Sequence, residues 1–126
     1  MALNGRNKGQ RGEREAAALL GSWVNIDMSR NLAQTREGGA DLLEIDGLAI
    51  EVKRCETVTL PMWWRQVCRA ADNRGDIPVL MWRQNNKRWQ FGLPSYLLVV
   101  GAKGMLTLGE EDFRVWLLHY LEATSG

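Results

Sequence analysis

The residues whose types and spacing could do chemistry are Glu51-Val52-Lys53, at the end of an apolar run, and Asp41, ten residues upstream in Gly38-Gly39-Ala40-Asp41-Leu42-Leu43-Glu44-Ile45. On a strand alternate side chains share a face, so Glu51 and Lys53 point one way and Val52 points into the opposite layer. Two acids and a lysine converging on one spot can hold a divalent cation beside a water. That set suits hydrolysis of a phosphodiester, an anionic ester that repels hydroxide and gathers charge as it breaks. Hard oxygen ligands hold magnesium while leaving positions for water and phosphate. A nearby ammonium can orient the water and stabilise the developing charge. Taken alone, Glu-x-Lys also occurs on edge strands where both charges simply face solvent.

Whether Asp41 joins the pair depends on the hairpin turn that Asp46-Gly47 signals. A two-residue loop would pair Asp41 with Val52 and put the acid on the wrong face, because the side-chain period is two. A three-residue loop of Ile45-Asp46-Gly47, with Gly47 left-handed, would place Asp41 opposite Glu51. We expect the three-residue loop, or a bulge of equal effect.

Gly12-Glu13-Arg14-Glu15-Ala16-Ala17-Ala18-Leu19-Leu20-Gly21 predicts a helix stopped by Gly21. Steps of three and four from Glu13 reach Ala16, Ala17 and Leu20, so Glu13 lies on the apolar stripe. Two roles stay open for it: a wet first-turn acid favoured by the helix dipole, or an acid reaching across to a metal or its water. Glu15 reads as a solvated neighbour, and residues 1–7 as a flexible basic arm.

Lys8-Gly9, Gly12-Glu13-Arg14-Glu15, Gly39-Ala40-Asp41, Ile50-Glu51-Val52-Lys53 and Asp76-Ile77-Pro78-Val79-Leu80 occur in this order. Together with Arg88-Trp89-Gln90-Phe91 they resemble the archaeal-type Holliday junction resolvases and small phage-encoded members of the PD-(D/E)xK nuclease superfamily. The likeness spans about residues 8 to 94, with Ala40 where the signature has proline. It implies an α/β, restriction-endonuclease-like core, a mixed central sheet flanked by helices. It also implies a homodimeric endonuclease that nicks two strands of a four-way DNA junction symmetrically. Glu13, Asp41, Glu51 and Lys53 match the family's catalytic positions. Magnesium, with manganese able to substitute, would be held by Asp41, Glu51, the carbonyl of Val52 and Glu13. Gln66 would support the site, and Lys8, Arg11 and Arg14 fall in the basic region that contacts DNA.

Composition is compatible with this reading. A chain of 126 residues with 45% hydrophobic content suits one nuclease domain. The formal net charge is only +1, but its distribution is uneven. Between positions 53 and 103 nine basic residues face Glu56, Asp72 and Asp76, whereas positions 104–126 carry Glu110, Glu111, Asp112 and Glu122 against Arg114 alone. Basic residues on one face would neutralise phosphates without reading sequence. Arg54, Arg65 and Arg69 are the candidates near the Glu-x-Lys strand, and Arg30 and Arg36 lie in a polar loop before Asp41. Arg114, Lys87 and Lys103 read as solubility residues.

Pro61 opens a helix with Trp63, Val67 and Ala70 on one stripe, so one of Trp63 and Trp64 should be exposed. Trp23, Trp89 and Trp116 read as core. Residues 95–100 read as a short helix after Pro94 or a further strand, with Leu97 to Val100 either core or a subunit interface. Met105 to Leu108 could be a short edge strand. An amphipathic helix over 113–123 closes a C-terminal extension beginning at residue 95, and the lone His119 is structural. Cys55 and Cys68 lack metal-ligand spacing and read as free thiols. No run approaches a membrane span, so the expectation is a cytoplasmic protein of a bacterial cell, possible product of a phage. A related nuclease acting on other DNA, or a noncatalytic DNA-binding protein, are the alternatives.

Overall fold

The computed structural model describes residues 2–24 and 43–124, with side chains over 11–24 and 45–124. Helix α1 (Ala2–Val24) leads to strands β1 (Leu43–Ile45) and β2 (Leu48–Cys55), helix α2 (Leu60–Arg74), and strands β3 (Ile77–Gln84) and β4 (Gln90–Pro94). A 3-10 turn (Ser95–Leu97), strand β5 (Met105–Leu108) and helix α3 (Glu110–Thr124) complete the chain. The strands lie in the order β1-β2-β3-β4-β5. β2 and β3 are parallel, with α2 as their crossover, and the other neighbours are antiparallel. This is the expected mixed α/β sheet flanked by helices. The polar loop expected before Asp41 falls outside the described residues.

Two cores form because the strands are apolar on both faces. Ala16, Ala17 and Leu20 of α1 and Phe113 and Leu117 of α3 pack on Ile50, Val79, Met81, Phe91 and Leu93. Trp63 and Val67 of α2 pack on Leu80 and Trp82 from the other side. Aromatic rings join the first layer, with Phe91 stacked on Phe113 at 4.1 Å and Trp23 tilted 5.8 Å from Phe91. Trp116 stacks on Tyr120 at 5.4 Å. The C-terminal helix therefore belongs to the main core.

Several expectations need correction. α1 continues through Gly21 to Val24, because Trp23 finds rings to pack on and that contact outweighs the roughly 1 kcal/mol glycine cost. Its helical backbone begins at Ala2, so residues 2–7 extend the helix where a flexible arm was expected. Trp64 is half-buried against the second core rather than exposed; Met62 is the exposed apolar residue in that turn. Residues 97–100 are exposed rather than core, because the chain leaves β4 through the 3-10 turn and loops back to β5 outside the sheet.

The β1–β2 hairpin has the two-residue turn. Leu43 pairs with Ile50, Glu44 with Ala49 and Ile45 with Leu48, which overturns the three-residue loop. The reason is burial. In this register Ile45, Leu48 and Ile50 all face the α1 core, whereas the other would bring Glu44 opposite Leu48 on that face. The turn is also tied from outside: Ile77 N–H donates to the Gly47 carbonyl at 2.8 Å, and the Tyr120 hydroxyl donates to the Asp46 carbonyl at 2.5 Å. Gly47 takes φ 83, and a side chain there would overlap the Tyr120 hydroxyl.

Candidate active site

Glu51 is the first residue of β2 beyond its described ladder with β1. Its neighbours in β3 are set by the parallel register, Glu51 beside Leu80 and Lys53 beside Trp82. Leu80 and Trp82 face α2, so Glu51 and Lys53 share the α2 face. Lys53 Nζ stands 3.4 Å from Glu51 Oε1, and both side chains are a little over a quarter exposed. A carboxylate and an ammonium are thus held side by side at the fourth and sixth of the eight residues of β2. Hard oxygen donors of this kind suit magnesium, but one carboxylate does not make a site. Among the described residues no three acids, histidines or cysteines come together. Asp41 lies outside the described residues.

Gln66 is exposed on α2. Cys68, on one flank of this helix, lies near Tyr96, which follows β4. Gln66, two residues before Cys68 and so about 200° around the helix, projects from the flank away from Tyr96. Burial and the Asp72 charge push the Cys68 thiol above its usual range, so it stays protonated at neutral pH and is a poor nucleophile.

Glu13 is half-buried beside Ala16 and Ala17, as its place on the apolar stripe implied. Its helix covers the sheet face opposite Glu51. Gly12 is the contact point: a Cβ there would come within 2.8 Å of Arg54 Cβ, so only glycine lets α1 lie this close to β2.

Arg54 differs from the exposed DNA-contacting residue expected. Parity turns it under α1, its side chain is only 13% exposed, and its Nε lies 3.5 Å from Glu15 Oε2. That nitrogen is buried and misaligned for a hydrogen bond, so the attraction is ionic. Arg83 Nη1 donates to the same Glu15 oxygen at 2.6 Å. Glu15, expected to be a solvated neighbour, therefore bridges the ends of β2 and β3. Sequence reasoning missed this because Arg83 is 68 residues away; the available signal was an arginine closing each parallel strand.

Arg11 and Arg14 are exposed on α1, and Arg65 and Arg69 one turn apart on the outer face of α2. Arg30 and Arg36 lie outside the described residues, as does the side chain of Lys8. No described helix is long and apolar enough to cross a membrane. Compared with known proteins, residues 4–105 match the family model described as "Phage putative PDDEXK endonuclease". No curated protein and no solved structure matches the chain.

Proposed function

We propose, from the premise that this chain belongs to the phage PDDEXK endonuclease family, that it is a magnesium-dependent, structure-specific DNA endonuclease whose preferred substrate is the four-way junction. The observation that carries the reading is the Glu51–Lys53 pair, on one face and 3.4 Å apart. Asp41, Glu51, the Val52 carbonyl and Glu13 would hold the metal, and manganese would substitute for it. When bound, the cation would polarise the scissile phosphate and lower the pKa of a water. Lys53 would orient that water and stabilise charge on the phosphoryl oxygens. Gln66 would hydrogen-bond at the rim of the site.

The reading places a demand on Asp41. The two-residue turn, continued without interruption, would pair it with Val52, so the proposal requires a bulge between Asp41 and Leu43. It also calls for two copies, since paired nicks in a two-fold junction need two sites related by a two-fold axis. The exposed apolar residues 97–100 support such self-association. Lys8, Arg11, Arg14, Arg30, Arg36, Arg65 and Arg69 would follow the DNA backbone.

The test is cleavage of labelled four-way junction and matched linear duplex, with magnesium or chelator, by the protein and Glu51→Gln. Paired junction nicks that require both metal and Glu51 support the reading. Equal cutting of the duplex reduces it to a general DNA nuclease, and junction binding without cutting removes the catalytic assignment.

A further inference from the structure

Beyond the end of β3 the chain forms a tight hairpin over residues 84–89, with Asn86 left-handed at φ 62. Its tip is Gln84-Asn85-Asn86-Lys87-Arg88, and residues 85–88 are exposed. Such a tip needs little to stay folded, yet this one is fastened on several sides. Lys87 N–H donates to the Gln84 carbonyl at 3.2 Å, and Arg83 Nε donates to the Lys87 carbonyl at 2.8 Å, closing the turn. Arg83 Nη1 ties the base of the hairpin to Glu15 of α1 at 2.6 Å. Gln84 Nε2 donates to the Glu56 carbonyl at 3.1 Å, and Asn85 Nδ2 to Glu56 Oε1 at 3.4 Å. Glu56 stands three residues after Lys53, so the tip is locked to the segment that leaves the Glu-x-Lys strand.

The charges at this tip are not used internally. Glu15 is engaged by Arg83 and Arg54, and neither Lys87 nor Arg88 has a carboxylate within ion-pair distance among the described residues. An open groove of about 740 Å³ beside the hairpin is lined by Lys87, Arg88, Glu15 and Glu110, and a second groove beside Arg88 is lined by Glu110, Glu111 and Asp112. These acids make both grooves unsuitable for an anion, which leaves the outward surface of the tip. Placement gives the surface a use. Lys53 is level with Trp82, so the tip begins two residues further along β3 and its cations follow within a few more. At about 3.3 Å per residue, that is about 10 Å beyond Lys53 along the strand direction, or about three base pairs of duplex at about 3.4 Å each.

We infer that the β3–β4 hairpin is a rigid clamp for the DNA backbone, in which Lys87 and Arg88 neutralise duplex phosphates about three base pairs from the scissile bond. The inference rests on the DNA-nuclease reading and adds a binding surface separate from the Glu51 face. Exposed cations contribute by releasing counterions, and their fixed placement lowers the ordering cost that mobile lysines would carry. The Asn86 side chain, exposed at the turn, presents an amide that can donate to phosphate or sugar oxygens without selecting sequence.

The test is the affinity of the whole protein for a linear duplex in chelator, which stops metal-dependent cutting, followed across salt concentration by fluorescence anisotropy. Replacing both cations, Lys87→Ala with Arg88→Ala, should weaken binding about tenfold near physiological salt. It should also make the slope of log affinity against log salt shallower by about 1.8, or about 0.9 per lost phosphate contact. Lys103→Ala with Arg114→Ala removes the same charge elsewhere and should leave the slope as it was. An unchanged slope in the hairpin variant, or an equal loss in the control pair, overturns the clamp. Cleavage by the unaltered protein in magnesium is scored in parallel. If it fails while the hairpin slope loss persists, the clamp stands and the nuclease reading falls.

Discussion

Lys53 Nζ lies 3.4 Å from Glu51 Oε1 on the α2 face of β2, while Arg54, the next residue, is turned beneath α1. Three charged residues within four positions are thereby divided between the two faces of one strand. Glu51→Gln and Lys53→Ala should each lower cleavage by about 10²–10³-fold or more, as expected when a metal ligand or a charge-stabilising group is lost. The pair is partly exposed, so stability should change by less than about 1 kcal/mol. Single-turnover cleavage beside chemical denaturation checks both, and Asp41→Asn should match the catalytic loss. Full activity in Asp41→Asn would remove it from the site.

Glu15 should matter for the fold more than for chemistry. It is the shared partner of Arg54 and Arg83, and removing it leaves the Arg54 guanidinium under α1 without its counterion. Glu15→Ala should cost about 1–3 kcal/mol, the scale for hydrogen bonds to charged groups, read as a lower denaturant midpoint. A midpoint unchanged from the parent's would show that the bridge contributes no net stability.

Gly12→Ala sets two effects against each other. Alanine improves a helix interior by about 1 kcal/mol, but its Cβ would stand 2.8 Å from Arg54 Cβ, an atom fixed to the strand backbone. The clash should win, for a net loss of about 1–3 kcal/mol in the manner of overpacked contacts. A stabilised variant would mean that α1 can lift off β2 without cost.

Tyr120→Phe removes the hydroxyl that donates to the Asp46 carbonyl, and should cost about 0.5–1.5 kcal/mol. Burial, followed by the Asp76 and Asp46 charges, raises the phenol above its ordinary value of 10.0. The folded protein then keeps a proton that the unfolded chain releases, so this stability is complete below pH 10.0 and is lost as pH rises through the folded value. Denaturation profiles should fall less steeply above that pH in Tyr120→Phe than in the parent.

Leu98 and Val100 are 79% and 97% exposed. If they form the two-fold contact, Leu98→Glu with Val100→Glu should shift sedimentation from dimer to monomer and uncouple the paired junction nicks. A parent protein that sediments as a monomer at working concentration, alone and on junction DNA, would count against paired nicking.

Much of the fold and part of the site could be read from local pattern. The period of two placed Glu51 with Lys53, and the period of 3.6 placed Trp63 and Val67 on the buried stripe of α2 and Ala16, Ala17 and Leu20 on that of α1. These are properties of a few neighbouring residues, fixed by backbone geometry before any long-range contact forms. Tertiary structure decided the rest. Asp46-Gly47 allows two loop lengths, and burial of Ile45 with Leu48 and Ile50, together with Tyr120 and Ile77 from later elements, selected one. Glu15 could be recognised as a bridge only once β3 brought Arg83 beside Arg54. The same holds for residues 97–100, apolar enough for a core but exposed because the sheet and its helices were already filled by Phe91, Phe113 and Leu117. Sequence specifies which side chains could be buried or reactive; only the packing of distant elements determines which of them meet.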